Sequence, residues 1–154
     1  MGTVNVGPRF KGKVITESGP LNIRLEASTN AQTVGTLARN GEYWFHAEDH
    51  TNDPVNPGYC AAWLACSDGY VSAQYVAWDP SLGTNGHQYT FVNVSSGYLN
   101  LRKTPSSSAT VIGRLYDDEE LLWLNYEYGT SEWAHVATPV GTGWVKKSYL
   151  DNHG

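Results

Sequence analysis

The sequence predicts an all-β fold made of two copies of a small, partly open barrel. Short runs rich in Val, Tyr, Trp and Thr alternate with clusters of Gly, Asn, Asp and Ser, which is the pattern of strands separated by turns. The 16 glycines, 10 tyrosines and 6 tryptophans among 154 residues are typical of such a protein. No stretch keeps a helical period over three turns.

A repeat within the chain predicts two similar domains. The segment Gly-Pro-Leu-Asn-Ile-Arg at 19–24 recurs as Gly-Tyr-Leu-Asn-Leu-Arg at 97–102. The displacement stays at 78 residues, without a gap, from Val14 to Phe45. Later matches follow at shorter displacements: Trp63 with Trp133, residues 69–71 with 143–145, and residues 74–76 with 148–150. Each copy is therefore expected to build one structural unit.

Each copy is expected to contain five or six short strands, which suits a small barrel. Residues 77–87 resemble a linker in composition, so the first domain is placed at 1–80 and the second at 81–154. The first copy also carries an insertion at 48–59. Because domains of about 70 residues bury little apolar surface alone, we expect the two copies to pack against each other. The clearest strand candidates are residues 21–25, 41–47, 99–103, 121–126 and 133–137.

The charge of the chain argues against two classes of partner. The net charge is −5 and is spread almost evenly over the two copies, so no basic patch is expected to neutralise phosphates. We therefore expect neither nucleic acid nor an anionic membrane as a partner. The longest apolar run, residues 60–66, is too short to cross a bilayer.

The two cysteines leave two interpretations open. Cys60 and Cys66 would be too far apart for a disulfide if they shared one extended strand. They are either two small buried residues or a local disulfide around a turn. A nucleophilic Cys66 is disfavoured, because such a nucleophile should begin a helix whereas the residues that follow it have the pattern of a strand.

No other pattern in the chain predicts catalysis or a bound cofactor. The sequence has no nucleophile elbow, no zinc-protease helix and no phosphate-binding loop. A crowded set of polar residues in the insertion could hold a divalent ion, yet its spacing matches no motif and a polar loop explains it equally well. We therefore expect no enzyme, no metal site and no cofactor. That polar set is His46, Glu48, Asp49, His50 and Asp53.

The repeated blocks resemble the bacterial SH3-like domain over residues 13–150. The second copy has Leu-Asn-Leu-Arg at 99–102, then Val-Ile-Gly at 111–113 and Gly-Trp-Val at 143–145, in the family's order. It departs from the family at Lys103-Thr104, where a small residue and Gly are usual. The first copy is similar but looser, with Leu-Glu-Ala at 25–27. The resemblance implies two tandem SH3-like barrels.

The resemblance also implies a function. Domains of this family usually accompany cell-wall hydrolases and bind peptidoglycan, and similar modules bind chitin-type oligosaccharides. The chain is therefore expected to be a secreted or cell-wall-associated binding module that recognises peptidoglycan or a chitin-like glycan, with two copies to raise avidity. The alternative is a structural or protein-docking scaffold, in which the aromatic residues are buried between the copies or against a partner.

Aromatic side chains are the candidate ligand contacts, because their faces stack on sugar rings and peptide planes. In the strand at 41–46, Tyr43 and Phe45 are expected to face the core. That leaves Trp44 outward, either as a ligand platform or in the interface between the copies, and Leu122 is expected to point outward likewise. The complete set of predicted ligand-binding residues is Trp44, Tyr59, Trp78, Tyr98, Tyr126 and Tyr128.

Other repeated residues are expected to be structural. Leucine or isoleucine alternates with polar residues in the repeated block, as in strands packed on one side. Arg24 and Arg102 are expected to cap a loop carbonyl or to form a salt bridge. Trp63 and Trp133 are expected in the core or on the floor of a groove. The predicted core residues of the block are Leu21, Ile23, Leu99 and Leu101.

Overall fold

The computed structural model describes residues 9–47, 62–85, 87–124 and 132–151. It confirms the predicted fold class, because these residues form an all-β protein of SH3-like β-barrel architecture with almost no helix. The helical elements Ala73–Tyr75 and Lys147–Tyr149 are single 3-10 turns. Within the described ranges, no helix has the length and apolar character needed to span a membrane.

In the first half of the molecule, the described residues 9–47 and 62–85 form two small sheets. Its strands are β1 (Arg9–Val14), β2 (Leu21–Arg24), β3 (Thr33–Leu37), β4 (Glu42–Phe45), β5 (Trp63–Cys66), β6 (Gly69–Ser72), β7 (Val76–Ala77) and β8 (Thr84–Asn85). One sheet has the order β4-β1-β7, with β8 also paired to β1, and the other has the order β3-β2-β6-β5. A bridge between His46 and Ala65 connects them, with N–O distances of 2.9 and 3.0 Å.

The second half, residues 87–151, forms one continuous sheet. Its strands are β9 (Gln88–Val92), β10 (Leu99–Arg102), β11 (Val111–Leu115), β12 (Glu120–Trp123), β13 (Trp133–Thr138), β14 (Gly141–Lys146) and β15 (Leu150–Asp151). The sheet order is β11-β10-β14-β13-β12-β9-β15. When the bridge between β4 and β5 is followed in the first half, its strands run in the corresponding order, β3-β2-β6-β5-β4-β1-β7.

Hydrogen bonds at matched positions show why the two halves fold alike. The backbone N–H of Asn40 donates to the carbonyl of Val14 at 2.9 Å, and that of Asp118 donates to Val92 at 2.7 Å. Asn40 and Asp118 have φ values of 69° and 70°, a left-handed conformation that Asn and Asp tolerate better than most residues. The same turn therefore leads into the fourth strand of each half.

The repeated arginines hold the loop that follows the second strand of each half. The Nη1 atom of Arg24 donates to the carbonyl of Ala31 at 3.1 Å, and Nη1 of Arg102 donates to Ala109 at 2.9 Å. The expected structural role is therefore confirmed. Each guanidinium satisfies a loop carbonyl that would otherwise depend on solvent.

The alternating residues of β2 and β10 form the core, as expected. Leu21, Ile23, Leu99 and Leu101 have exposed fractions between 0% and 6%. The backbone of the neighbouring strand comes very close at the end of this block, because a Cβ atom on Gly143 would overlap the carbonyl oxygen of Arg102. Only glycine fits at that position without moving the strand.

The two halves share a buried interface. Leu122, Leu124 and Ala137 of the second half belong to the hydrophobic cluster that contains the core of the first half. Leu122 was expected to point outward, and it does turn away from the core of its own half, but the first half covers it completely. The Thr142 hydroxyl also donates to the carbonyl of Val76 at 2.7 Å across this interface.

Candidate functional site

A groove of about 630 Å³ opens on the second half, and we call it the second-half groove. Four places in the fold build it: strand β10 with the loop before it, Ser107 in the loop after it, the first residue of β13, and the end of β14 with the 3-10 turn that follows. Since Leu99 and Leu101 face the core, the alternate residues of β10 face the groove. The side chains on which its chemistry depends are Tyr98, Asn100, Arg102, Trp133, Lys146 and Tyr149.

The aromatic side chains of the second-half groove are accessible. Tyr98 is 44% exposed and Tyr149 is 47% exposed. Backbone contacts hold Tyr149 in place, because its carbonyl accepts a hydrogen bond of 2.8 Å from the N–H of Asn93. Tyr98 is held between Arg114, whose Cζ lies 4.2 Å from its ring centroid, and the ring of Tyr116 at 6.4 Å. The groove therefore presents two exposed aromatic side chains to solvent, and neighbouring side chains hold the ring of Tyr98.

The charge of the second-half groove is positive. Its lining contains Arg102 and Lys146 but no acidic residue. Lys146 Nζ lies 5.4 Å from the ring centroid of Trp133 and 3.3 Å from Oε1 of Glu132, which lies outside the lining. Both partners of this ion pair are substantially exposed, so it is weak and can exchange for a ligand carboxylate.

A second groove, of about 610 Å³, opens on the first half, and we call it the first-half groove. Four of its lining residues, each with an amide, a guanidinium or an aromatic ring, are identical to the residues at the matched positions of the second-half groove. They are Asn22, Arg24, Trp63 and Tyr75, in the places of Asn100, Arg102, Trp133 and Tyr149. The repeat in the sequence thus produces two grooves with a common frame of one amide, one guanidinium and two aromatic rings.

The two grooves differ at the positions around that frame. Pro20 stands in the first-half groove where Tyr98 stands in the second, and Ser72 replaces Lys146. Glu17 lines the first-half groove where Ser95 lines the second. The grooves therefore have similar sizes but different charges and different aromatic content.

The structure places the predicted ligand-binding residues at different sites. Tyr98 lines the second-half groove. Trp44 points outward, as expected, and is 43% exposed, with Arg9 Cζ 5.1 Å from its ring centroid, but it lines neither groove. Trp44 is also absent from the hydrophobic cluster that the two halves share. The remaining predictions at Tyr59, Tyr126 and Tyr128 lie outside the described residues.

The prediction for Trp78 requires a correction. Its side chain is 0% exposed, so it cannot stack on a ligand. The indole Nε1 donates to the carbonyl of Gly83 at 3.0 Å, and the ring packs 5.7 Å from that of Tyr89. The linker composition around Trp78 suggested exposure, but the second half covers this residue, and its backbone N–H donates to Thr138 at 2.8 Å.

Four aromatic residues of the groove linings were not among the predicted ligand-binding residues, although the floor of a groove was one of the positions expected for Trp63 and Trp133. Trp63 and Trp133 were assigned to the core or to a groove floor, and Tyr75 and Tyr149 were noted only as repeat matches. A signal was present, because each pair is aromatic in both copies and Tyr75 and Tyr149 follow strands that end in polar residues. Only the structure shows that these strand ends meet the turns before β2 and β10.

The described residues considered as a nucleophile or as metal ligands do not line the grooves. Cys66 has a free thiol on β5, and burial is the main cause that raises its pKa, which opposes thiolate formation. Cys60 lies outside the described residues, as do all members of the polar insertion except His46. In the part of the chain that the structure describes, no group of three His, Cys, Asp or Glu side chains is placed to hold a metal ion.

Comparison with known proteins identifies the second half. Residues 97–151 match the family model of the bacterial SH3 domain, so this part of the chain is one bacterial SH3 domain. The matched range contains all six named side chains of the second-half groove. No curated protein matches the chain.

Two solved structures from Trichomonas vaginalis resemble the chain distantly. NlpC2 is 11% identical over 93% of this chain and 48% of its own, with a TM-score of 0.39. NlpC1 is 12% identical over 96% of this chain and 47% of its own, with a TM-score of 0.37. The chain spans about half the length of either structure.

Proposed function

We propose that the chain is a non-catalytic cell-wall-binding module and that the second-half groove holds a segment of the wall polymer. The observation that carries this proposal is an open groove with exposed Tyr98 and Tyr149 inside the segment that is a bacterial SH3 domain. Aromatic faces beside a few polar groups suit sugar rings and peptide planes.

The charge of the groove favours peptidoglycan over chitin as the ligand. Arg102 and Lys146 supply two cations without an acidic neighbour in the lining. Peptidoglycan carries carboxylates on its peptides, whereas chitin is an uncharged glycan. A carboxylate beside Lys146 gains a charge-assisted hydrogen bond, which chitin does not offer.

We further propose that the first half is a second copy of the same module. The expected division at 1–80 and 81–154 then moves by a few residues, because β8 (Thr84–Asn85) pairs with β1 of the first half. The matched strand order, the matched arginine contacts and the matched groove frame support this division. A secreted or wall-associated location follows from the proposed ligand. Two grooves on one chain would raise avidity for a repeating polymer without any new contact.

A co-sedimentation experiment with insoluble peptidoglycan and, in parallel, with chitin tests the proposed function. The wild-type chain is expected to be retained on peptidoglycan, and Tyr149→Ala is expected to weaken retention about tenfold, because it removes one exposed aromatic face. Trp44→Ala is the matched control, since it truncates an equally exposed aromatic residue outside both grooves.

Three outcomes of that experiment would contradict the proposal. Loss of retention in Trp44→Ala with normal retention in Tyr149→Ala would place the ligand on the outer face of β4. Retention on chitin alone would reject the charge argument. Absence of retention on both polymers would favour the alternative, a protein-docking scaffold in which the exposed Trp44 beside Arg9 meets a partner.

A further inference from the structure

The first-half groove receives a side chain from the other half of the molecule. Lys103 lies directly after β10 in the second half, yet it lines the first-half groove beside Trp63 and Tyr75. Its backbone is fixed there, because the N–H of Lys103 donates to the carbonyl of Thr110 at 2.9 Å and Arg102 pairs with Trp144. The first-half groove is therefore a composite site, because the packing between the halves adds Lys103 to a lining that the first half otherwise supplies.

The matched position in the first half behaves differently. Leu25 occupies the place of Lys103, and it is 55% exposed, whereas Lys103 is partly buried. Leu25 does not line the second-half groove. The contribution of Lys103 is thus a consequence of the packing between the halves and not of the repeated barrel itself.

The composite groove carries charges of both signs. Glu17 lies in the turn before β2 and is exposed, and it lines the same cavity as Lys103. Neither side chain has an ion-pair partner among the residues that the structure describes. The guanidinium of Arg24 also lines the groove and donates one hydrogen bond to the carbonyl of Ala31, as Arg102 does to Ala109 in the second half. Glu17 and Lys103 are therefore the charged groups of this groove that can meet a ligand without first giving up a contact with another described residue.

We propose that the first-half groove binds a short peptide segment that carries both an ammonium group and a carboxylate. Glu17 pairs with the ammonium group, Lys103 pairs with the carboxylate, and the rings of Trp63 and Tyr75 lie against the peptide between them. The inference rests on the proposed function, because wall peptides are the expected source of such a segment. The inference goes beyond the proposed function because it assigns to the first-half groove a ligand with both charges, whereas the second-half groove prefers a carboxylate.

Amide-detected NMR with three small probes tests this proposal, and the indole N–H signals of Trp63 and Trp133 report the two grooves separately. The probes are dialanine, which has both charges, N-acetyl-dialanine, which keeps only the carboxylate, and dialanine amide, which keeps only the ammonium group. Dialanine is expected to shift the Trp63 signal with an affinity about threefold higher than that of either blocked probe, because each blocked probe loses one exposed ion pair.

Two variants test which side chain of the groove recognises each charged group of the probe. Lys103→Met is expected to make dialanine and dialanine amide bind equally, because the group that recognises the carboxylate is gone. Glu17→Gln is expected to make dialanine and N-acetyl-dialanine bind equally. Lys13→Met is the control, since it removes an exposed lysine that lines neither groove and should leave all three affinities unchanged.

The proposal is overturned if dialanine leaves the Trp63 signal in place, or if both variants keep the wild-type order of the three probes. These results are distinguishable from failure of the proposed function. If dialanine shifts the Trp63 signal but the chain does not sediment with peptidoglycan, the composite site is supported and the wall polymer is rejected as the source of its ligand. If the chain sediments normally but dialanine does not shift its Trp63 signal, only the proposal of the composite site is rejected.

Discussion

Thr142 of the second half donates its hydroxyl to the carbonyl of Val76 in the first half, at an Oγ1–O distance of 2.7 Å. Thr142 is 1% exposed and Val76 is 0% exposed, so no water can replace this contact. A buried acceptor left unpaired costs about 1 to 3 kcal/mol. The bond therefore contributes to the packing of the two halves, on which the composite groove depends.

We expect Thr142→Val to lower the free energy of unfolding by about 1 to 3 kcal/mol, because valine keeps the shape and leaves the Val76 carbonyl unpaired. Urea unfolding followed by tryptophan fluorescence measures the change. Thr36→Val on the exposed strand β3 is the control. An equal effect of the two variants would show that the hydroxyl of Thr142 contributes nothing specific.

Leu122→Ala tests whether the halves share one core. Leu122 is fully buried in the cluster of the first half, so its truncation is expected to cost about 2 to 5 kcal/mol. A single unfolding transition should move as a whole, because both halves lose the same contact. The control is Val111→Ala, at a side chain that is 43% exposed. Two separate transitions, with only the second-half transition displaced, would contradict the shared core.

The pH dependence of stability follows from His135. This residue is 4% exposed, and its ring stacks on that of Trp144 with centroids 4.4 Å apart. Burial, and then the nearby His87, lower the pKa of His135 from 6.5 to about 3. Below about pH 6.5, His135 therefore binds a proton in the unfolded chain but not in the folded chain. Its contribution to stability is complete above that pH and declines as the pH falls towards 3.

We expect the free energy of unfolding to fall between pH 6.5 and pH 4 by up to about 1.4 kcal/mol per pH unit on account of His135. His135→Gln removes the titrating group and should make this dependence shallower. Urea titrations at a series of pH values measure both chains. A variant with the same slope as the wild-type chain would show that His135 is not the responsible group.

Lys146→Met tests the charge of the second-half groove. We expect it to weaken binding of soluble peptidoglycan fragments about threefold and to reduce the salt dependence of binding, because one exposed cation is lost. Lys147→Met is the control, since Lys147 is the next residue and does not line the groove. If the two variants bind alike and with equal salt dependence, a carboxylate contact at Lys146 is ruled out.

The repeat in the sequence was sufficient to predict the fold of each half, since residues 19–24 and 97–102 alternate in the way that β2 and β10 require. The packing between the halves was harder to predict. The exposure of Leu122 and Trp78 depends on which surface the other half covers, and a period of two along a strand carries no information about that surface.

The candidate site was predictable in type but only partly in position. Tyr98 was found because it lies at the start of a predicted strand, where an aromatic side chain can remain accessible. Trp133 could be placed only in the core or on the floor of a groove, because an aromatic residue next to a strand has the same pattern in either position. Tyr149 was identified only as a match in the repeat. Lys103 was visible only as a departure from the family, and its place in the other half's groove follows from the packing between the halves.

The central claim is that the second-half groove is the binding site, and the most direct measurement is the indole N–H signal of Trp133 during a titration with soluble peptidoglycan fragments. The account predicts that this signal moves and saturates while the signal of Trp44, outside both grooves, stays in place. A titration that moves Trp44 and leaves Trp133 unchanged, or that moves neither, would contradict it.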